Sequence, residues 1–273
     1  MSELLDYANK NNCAVGAFSV GNMEMIIGAV RAAEEMQTPI ILQIAEKRMK
    51  TSPLELMGPM MVSAAENAKV PIAVHLDHGL TFDCINSALQ YGFTSVMLDA
   101  SLLPFEENIE MTKKVKAAAS EYGATVEAEL GVVGGNEGDS AEHKILCTDP
   151  EKAKIFCEQT GINCLAVAIG NAHGNYPVLP ELRFDVLKEI NETVDTPLVL
   201  HGGTGITAEM FRKAISLGIR KINIATASFD ALARAAKDYT FTVAKADYFT
   251  LSPKMADSVY NNVKKHIEIF NNN

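Results

Sequence analysis

Three histidines in this chain stand at the ends of short apolar runs, each followed by glycine. They are His78 in P-I-A-V-H-L-D-H-G (71–79), His173 in C-L-A-V-A-I-G-N-A-H-G (164–174) and His201 in P-L-V-L-H-G-G-T-G (197–205). A run rich in β-branched residues that turns ionisable just before a glycine reads as a buried strand leaving the core for a site, because such groups are not left unpaired inside. Three imidazoles delivered by three strand ends suit a zinc ion whose fourth position stays open to substrate. Asp77, next to His78, is placed to move a proton. Asp99, Glu129 and Glu137 stand at or just beyond two further strand ends.

A second chemistry is written in the glycines. H-G-G-T-G at 201–205 precedes a helical segment, so backbone amides and a threonine hydroxyl meet a helix N-terminus, an arrangement that suits phosphate. N-I-A-T at 223–226 adds another amide and hydroxyl at the next strand end.

The elements that must bring these residues together follow from periodicity. Strand-like segments fall at 14–19, 39–45, 71–79, 94–98, 124–130, 164–169, 197–200 and 221–225. Helical segments alternate with them at 23–36, 54–69, 83–91, 106–122, 150–160, 182–192, 208–217 and 228–245, and a last amphipathic helix spans 253–270. That alternation predicts a (β/α)8 TIM barrel with an extra C-terminal helix, in one domain covering 1–273. In such a barrel every strand's C-terminal end opens on one mouth, so residues distant in sequence converge there. The glycine-rich, acidic segment 131–143 breaks the rhythm and reads as a loop over the site.

Bulk composition narrows the partners. With 273 residues and 48% hydrophobic content the chain can bury a large core. A formal net charge of −10 argues against nucleic acid or an anionic membrane as partner. Five cysteines without C-x-x-C spacing point to a reducing cytoplasm. Residues 1–12 lack a basic stretch followed by an apolar one, and no run reaches the length of a membrane span, so neither a secretory signal nor an anchor is expected.

Seven motifs, in order, resemble the class II, metal-dependent ketose-bisphosphate aldolases. They are H-L-D-H-G (75–79), G-F-T-S-V-M-L-D-A-S (92–101), L-P-F-E-E-N-I (103–109), E-A-E-L-G-x-x-G-G-x-E (127–137), G-N-A-H-G-x-Y (170–176), H-G-G-T-G (201–205) and K-I-N-I-A-T (221–226). The resemblance covers roughly residues 14–234. It implies a TIM barrel that reversibly cleaves a ketose 1-phosphate or 1,6-bisphosphate, of tagatose or fructose type, into dihydroxyacetone phosphate and an aldehyde such as glyceraldehyde 3-phosphate, through a zinc-stabilised enediolate. By the same resemblance, His78, His173 and His201 hold Zn2+, while Asp99 and Glu129 match an alternative or second metal position. Asp77 matches the proton donor and acceptor at the C4 oxygen, and Glu137 the acid that exchanges the C3 proton. Gly174, Gly202, Gly203, Thr204, Asn223, Ile224, Ala225 and Thr226 match the dihydroxyacetone phosphate site, with Gly174 and Gly202 also at the place of a monovalent cation, Na+ or K+. The family is usually dimeric or tetrameric, so a homodimer or homotetramer is implied.

Some positions depart from the family pattern. Ala225 stands where fructose-specific relatives carry Asp and tagatose-type relatives also carry Ala; Ser19 replaces the commoner Asn, and Ala45 the commoner Ser or Thr. These changes leave the stereochemistry and length of the sugar open. A Schiff-base mechanism would need a lysine at a mouth-side strand end; strand six has none, and Lys221 is expected at the far end of the barrel. His75 is expected to be packed or to support a ligand, because alternation sets it on the face of Asp77. His143 and His266 are expected to be solvated. The rival readings are a non-catalytic sugar-phosphate-binding barrel, which would need neither Asp77 nor Glu137, and a metal hydrolase.

Overall fold

The computed structural model describes residues 1–134, 146–175 and 180–271. Eight parallel strands close into a barrel in sequence order: β1 (Val15–Ser19), β2 (Ile40–Ala45), β3 (Ile72–Gly79), β4 (Ser95–Leu98), β5 (Thr125–Leu130), β6 (Cys164–Val167), β7 (Leu198–Leu200) and β8 (Ile219–Ile224). β8 returns to pair with β1 through Val15↔Lys221 and Ala17↔Asn223. Around the barrel run α1 (Ser2–Asn11), α2 (Met23–Glu35), α3 (Leu54–Glu66), α4 (Phe82–Gln90), α5 (Phe105–Glu121), α6 (Pro150–Thr160), α7 (Phe184–Thr193), α8 (Ala208–Ser216), α9 (Thr226–Thr242) and α10 (Tyr248–Phe270). The expected (β/α)8 barrel with a C-terminal helix is therefore the observed fold.

Period-two alternation divides most strands between two cores, while β5 and β8 turn polar residues inward. Outward residues such as Phe18, Leu42, Ile44, Leu76, Val96, Val126 and Leu165 pack under the helices in one continuous cluster. A smaller cluster joins Val15, Ala17, Ile41, Ala73, Met97, Cys164, Ala166 and Val199 to Leu4, Leu5 and Ala8 of α1. Each large aliphatic side chain so buried contributes about 1.5–3 kcal/mol. Side-chain caps set several helix starts: Asn22 accepts from the Met25 amide, Thr81 from Cys84, Asp149 from Lys152 and Thr207 from Met210.

Three details differ from expectation. α1, for which no element is expected, lies at the strands' N-terminal end: Ser2 meets Asn163 ahead of β6, Asn9 accepts from Arg220 near the start of β8, and Leu4, Leu5 and Ala8 join the barrel's inner cluster. α10 begins at Tyr248 rather than at Pro253, because Asp247 accepts from the Thr250 amide and caps it earlier. His266 is buried rather than solvated: its ring lies among Phe18, Phe211 and Phe270, and its Nδ1 donates to the Asn262 carbonyl at 2.7 Å. Burial pushes its pKa down to about 4. His143 lies outside the described residues.

All five cysteines are free thiols. Among the described residues, no helix is long and apolar enough to cross a membrane.

Candidate active site

β3 presents two adjacent functional residues to one space, which strict alternation forbids. The pairing of β3 with β4 shifts register between Leu76 and Gly79, and His78 takes a left-handed φ of 40°. That irregularity turns His78 toward the interior alongside Asp77. The following loop is tied down by Glu46, in the 3-10 turn Glu46–Lys50 after β2, which accepts from the Leu80 and Thr81 amides and the Thr81 hydroxyl.

The three histidines meet. Ring centroids lie 4.8 Å apart for His78 and His173, 4.7 Å for His78 and His201, and 5.7 Å for His173 and His201. One candidate ligand atom from each falls within 4.8 Å of the others, and His78, Asp99 and Glu129 form a second such group. His78 Nδ1 is 2.7 Å from Asp99 Oδ2, and His201 Nε2 is 2.8 Å from Glu127 Oε1. Carboxylates only accept, so each of these nitrogens carries the proton. The remaining nitrogens, His78 Nε2 and His201 Nδ1, then face each other at 3.0 Å. In the neutral rings both offer lone pairs, and a cation shared between them resolves the repulsion. His173 Nε2 and Glu129 Oε2 are buried polar atoms with no hydrogen-bond partner, a state that a metal ion would relieve. The donor set therefore fits zinc.

The charges agree. Burial disfavours the protonated form of His173, and His78 adds to it, so that ring is held well below the usual imidazole range. His201 is lowered mainly by burial. Burial also opposes charge on His78, but Asp77 and Asp99 outweigh it and push its pKa up to about 10, so this ring favours the protonated form, and a cation at the cluster would take the place of the proton between His78 Nε2 and His201 Nδ1. Burial raises Glu129, and the Asp99 charge raises it further, to about 8. For Asp77, burial is overcome by His78, His201 and Lys221, which hold the carboxyl below its ordinary value.

Asp77 is gripped from both sides. Gln43 Nε2 donates to its Oδ2 and Asn223 Nδ2 to its Oδ1, each at 3.0 Å. Around it, Gln43, His173, Gly174, Gly202, Gly203, Thr204, Asn223, Ala225 and Thr226 line one cleft. The structure thus gathers every expected phosphate-site residue there except Ile224, whose side chain joins the outer core. Gly202, at φ 67°, lies against the Ala172 carbonyl so closely that a Cβ would collide with it. The N-terminus of α9, whose Ala227 amide donates to the Thr204 hydroxyl, opens on the same cleft at Thr226. Glu137 lies outside the described residues, as does most of the expected 131–143 loop.

Two expectations about neighbouring residues are sharpened. His75 is buried, with Nδ1 2.8 Å from Ser95 Oγ, and stands in neither metal group. Lys221 pairs with Val15, the first residue of β1, so its backbone stands toward the far end as expected, while its side chain is fully buried within the barrel, 2.8 Å from Glu127 and 2.7 Å from Asn223 Oδ1. Its ammonium is committed to these partners and it does not line the cleft, so it offers no amine for a Schiff base. Sequence reasoning alone does not mark Gln43, Glu127 and Lys221 as site residues. Their signal was a polar residue on the inward face of an otherwise apolar strand, two positions from a recognised one in the case of Glu127 and Lys221.

The family model for "Fructose-bisphosphate aldolase class-II" matches residues 1–273. The chain is 41% identical over 241 residues to a fructose-bisphosphate aldolase of Geobacillus stearothermophilus, covering 87% of this chain and 84% of that protein. It is 42% identical to a fructose-bisphosphate aldolase of Staphylococcus aureus over the same share of each. Among solved structures, the YdjI aldolase of Escherichia coli superposes with a TM-score of 0.88 at 36% identity, covering 98% of this chain and 95% of that one. A match of this extent, carried by a barrel whose mouth joins three histidines to a braced aspartate, makes the chain an enzyme of the class II fructose-bisphosphate aldolase family.

Proposed function

We propose that the protein reversibly cleaves a ketose 1-phosphate or 1,6-bisphosphate, of tagatose or fructose type, to dihydroxyacetone phosphate and an aldehyde. The observation that carries this reading is Asp77, held between the Gln43 and Asn223 amides beside a histidine cluster fit for zinc. His78, His173 and His201 would hold Zn2+, with Asp99 and Glu129 as partners or as an alternative metal position. Zinc there supplies Lewis-acid polarisation of the substrate carbonyl.

The chain's own groups do the rest. Asp77, ionised at neutral pH, accepts the proton of the C4 hydroxyl as the carbon–carbon bond breaks and returns it in the reverse direction. Glu137 exchanges the proton at C3. The Gly202–Gly203–Thr204 turn and the α9 start at Ala225 and Thr226 receive the phosphate through amides and hydroxyls, aided by the helix N-terminus. Gly174 and Asn223 complete the dihydroxyacetone phosphate site, with Ile224 contributing through its backbone. A monovalent cation, Na+ or K+, beside Gly174 and Gly202 belongs to the same reading. So do a homodimeric or homotetrameric assembly and a cytoplasmic location, the latter supported by five free thiols.

The test is a panel. Zinc-loaded protein is incubated with tagatose and fructose bisphosphates, and separately with dihydroxyacetone phosphate and a series of aldehydes. Cleavage or condensation abolished by chelation and restored by zinc is expected. Binding without turnover across the panel would favour a sugar-phosphate-binding protein instead.

A further inference from the structure

Below the cleft the barrel axis holds ionisable groups that the proposed reaction leaves unused: Lys221, Glu127 and His75, all fully buried. A buried ion pair costs several kcal/mol of desolvation for each charge, and apolar side chains of similar volume often serve stability as well. The Lys221–Glu127 pair therefore calls for a reason beyond holding the barrel together.

Its connections supply one. Lys221 Nζ reaches Asn223 Oδ1 at 2.7 Å, and an ammonium only donates, so the amide oxygen of Asn223 is fixed on that side. The Asn223 NH2 group is thereby turned to Asp77 Oδ1, 3.0 Å away. In the other direction, Lys221 is 2.8 Å from Glu127 Oε2, and Glu127 Oε1 accepts from His201 Nε2 at 2.8 Å. That bond selects the tautomer in which His201 Nδ1 faces His78. Alternation makes the arrangement possible: Lys221 and Asn223 share the inward face of β8, and Glu127 and Glu129 share that of β5. His75 does not compete for Glu127. Burial first, and then the Lys221 charge, press its pKa down to about 3, so it is neutral, and its Nε2 stays 3.6 Å from Glu127.

We propose that Lys221 and Glu127 are a positioning pair, which orients Asp77 through Asn223 and fixes the tautomer of His201, holding the proton carrier and a metal ligand in register. The inference rests on the function proposed above and assigns to it two residues that touch neither substrate nor metal.

Two variants test it. Lys221→Met combined with Glu127→Gln removes both charges together, leaving no uncompensated ion, and Glu127→Asp keeps the charge but withdraws it by one methylene. Three quantities are read for each: cooperative thermal unfolding of the metal-free protein, zinc affinity by chelator competition, and kcat and KM at saturating zinc. Both variants are expected to unfold cooperatively and to bind zinc about 10–100-fold more weakly. At full zinc occupancy the double variant is expected to lose at least about tenfold in kcat with KM nearly unchanged, the mark of a displaced proton carrier. Parent-like zinc affinity and kcat in folded variants would overturn the proposal. So would failure of both variants to fold, which would assign the pair to barrel stability. A parent protein that binds no zinc would instead overturn the proposed function, and this inference with it.

Discussion

Asp99 Oδ2 lies 2.7 Å from Nδ1 of His78, and the Ser101 hydroxyl and amide hold the other oxygen of the same carboxylate. The bond decides which nitrogen of His78 carries a proton and which faces the cluster. The carboxylate also makes the ring a stronger donor to a metal, as anionic partners of ligating histidines do.

Asp99→Asn keeps the size and one acceptor oxygen but removes the charge. Zinc affinity is expected to fall about 10–100-fold, measured by chelator competition on the purified protein. Unchanged affinity would show that the Asp99 charge is irrelevant to the metal.

Asp77→Ala leaves all three histidines in place and removes the carboxylate between Gln43 and Asn223. Turnover is expected to fall about 10²–10⁴-fold, with zinc still bound at one equivalent by metal analysis. Full activity in this variant would remove Asp77 from proton transfer.

Gly202→Ala should be far more harmful than Gly174→Ala. Both glycines have positive φ, 67° and 87°, so each alanine meets a left-handed backbone cost of about 1–2 kcal/mol. Only at Gly202 does a Cβ also drive into the Ala172 carbonyl; at Gly174 it meets nothing within 4 Å among the described residues. Overpacking adds about 1–3 kcal/mol, and the displaced segment carries His173. Urea unfolding should place Gly202→Ala below Gly174→Ala, with weaker zinc binding as well; equal stabilities would contradict the geometry.

Much of this was legible because the barrel writes its strands as apolar runs and its site as their polar ends. His78, His173 and His201 could be read from their place after those runs, before any coordinate. The supporting layer could not. Gln43, Glu127 and Lys221 look like isolated polar residues in buried strands, and their partners lie across the barrel on strands far away in sequence. α1 is not legible because its stripe of Leu4, Leu5 and Ala8 is short and acquires meaning only against the inner cluster it joins. His266 was different, since its signal was present: with Val259, Val263, Ile267 and Phe270 it falls on the buried stripe of α10.

That histidine gives the last prediction. An unfolded histidine titrates near 6.5, whereas His266 in the fold, enclosed by aromatic rings, titrates at about 4. Between these values the unfolded chain binds the extra proton, so stability rises with pH there. The contribution is complete above pH 6.5 and is lost as the solution is acidified toward pH 4. From pH 7 to pH 5 the loss from this one residue is about 2 kcal/mol. His266→Phe removes the titrating ring while keeping an aromatic side chain against Phe211 and Phe270. Urea unfolding of metal-free parent and variant at both pH values should therefore show the parent losing about 2 kcal/mol more than the variant. Parallel losses would mean that His266 takes up its proton in the folded state as readily as in the unfolded one, which its buried aromatic surroundings oppose.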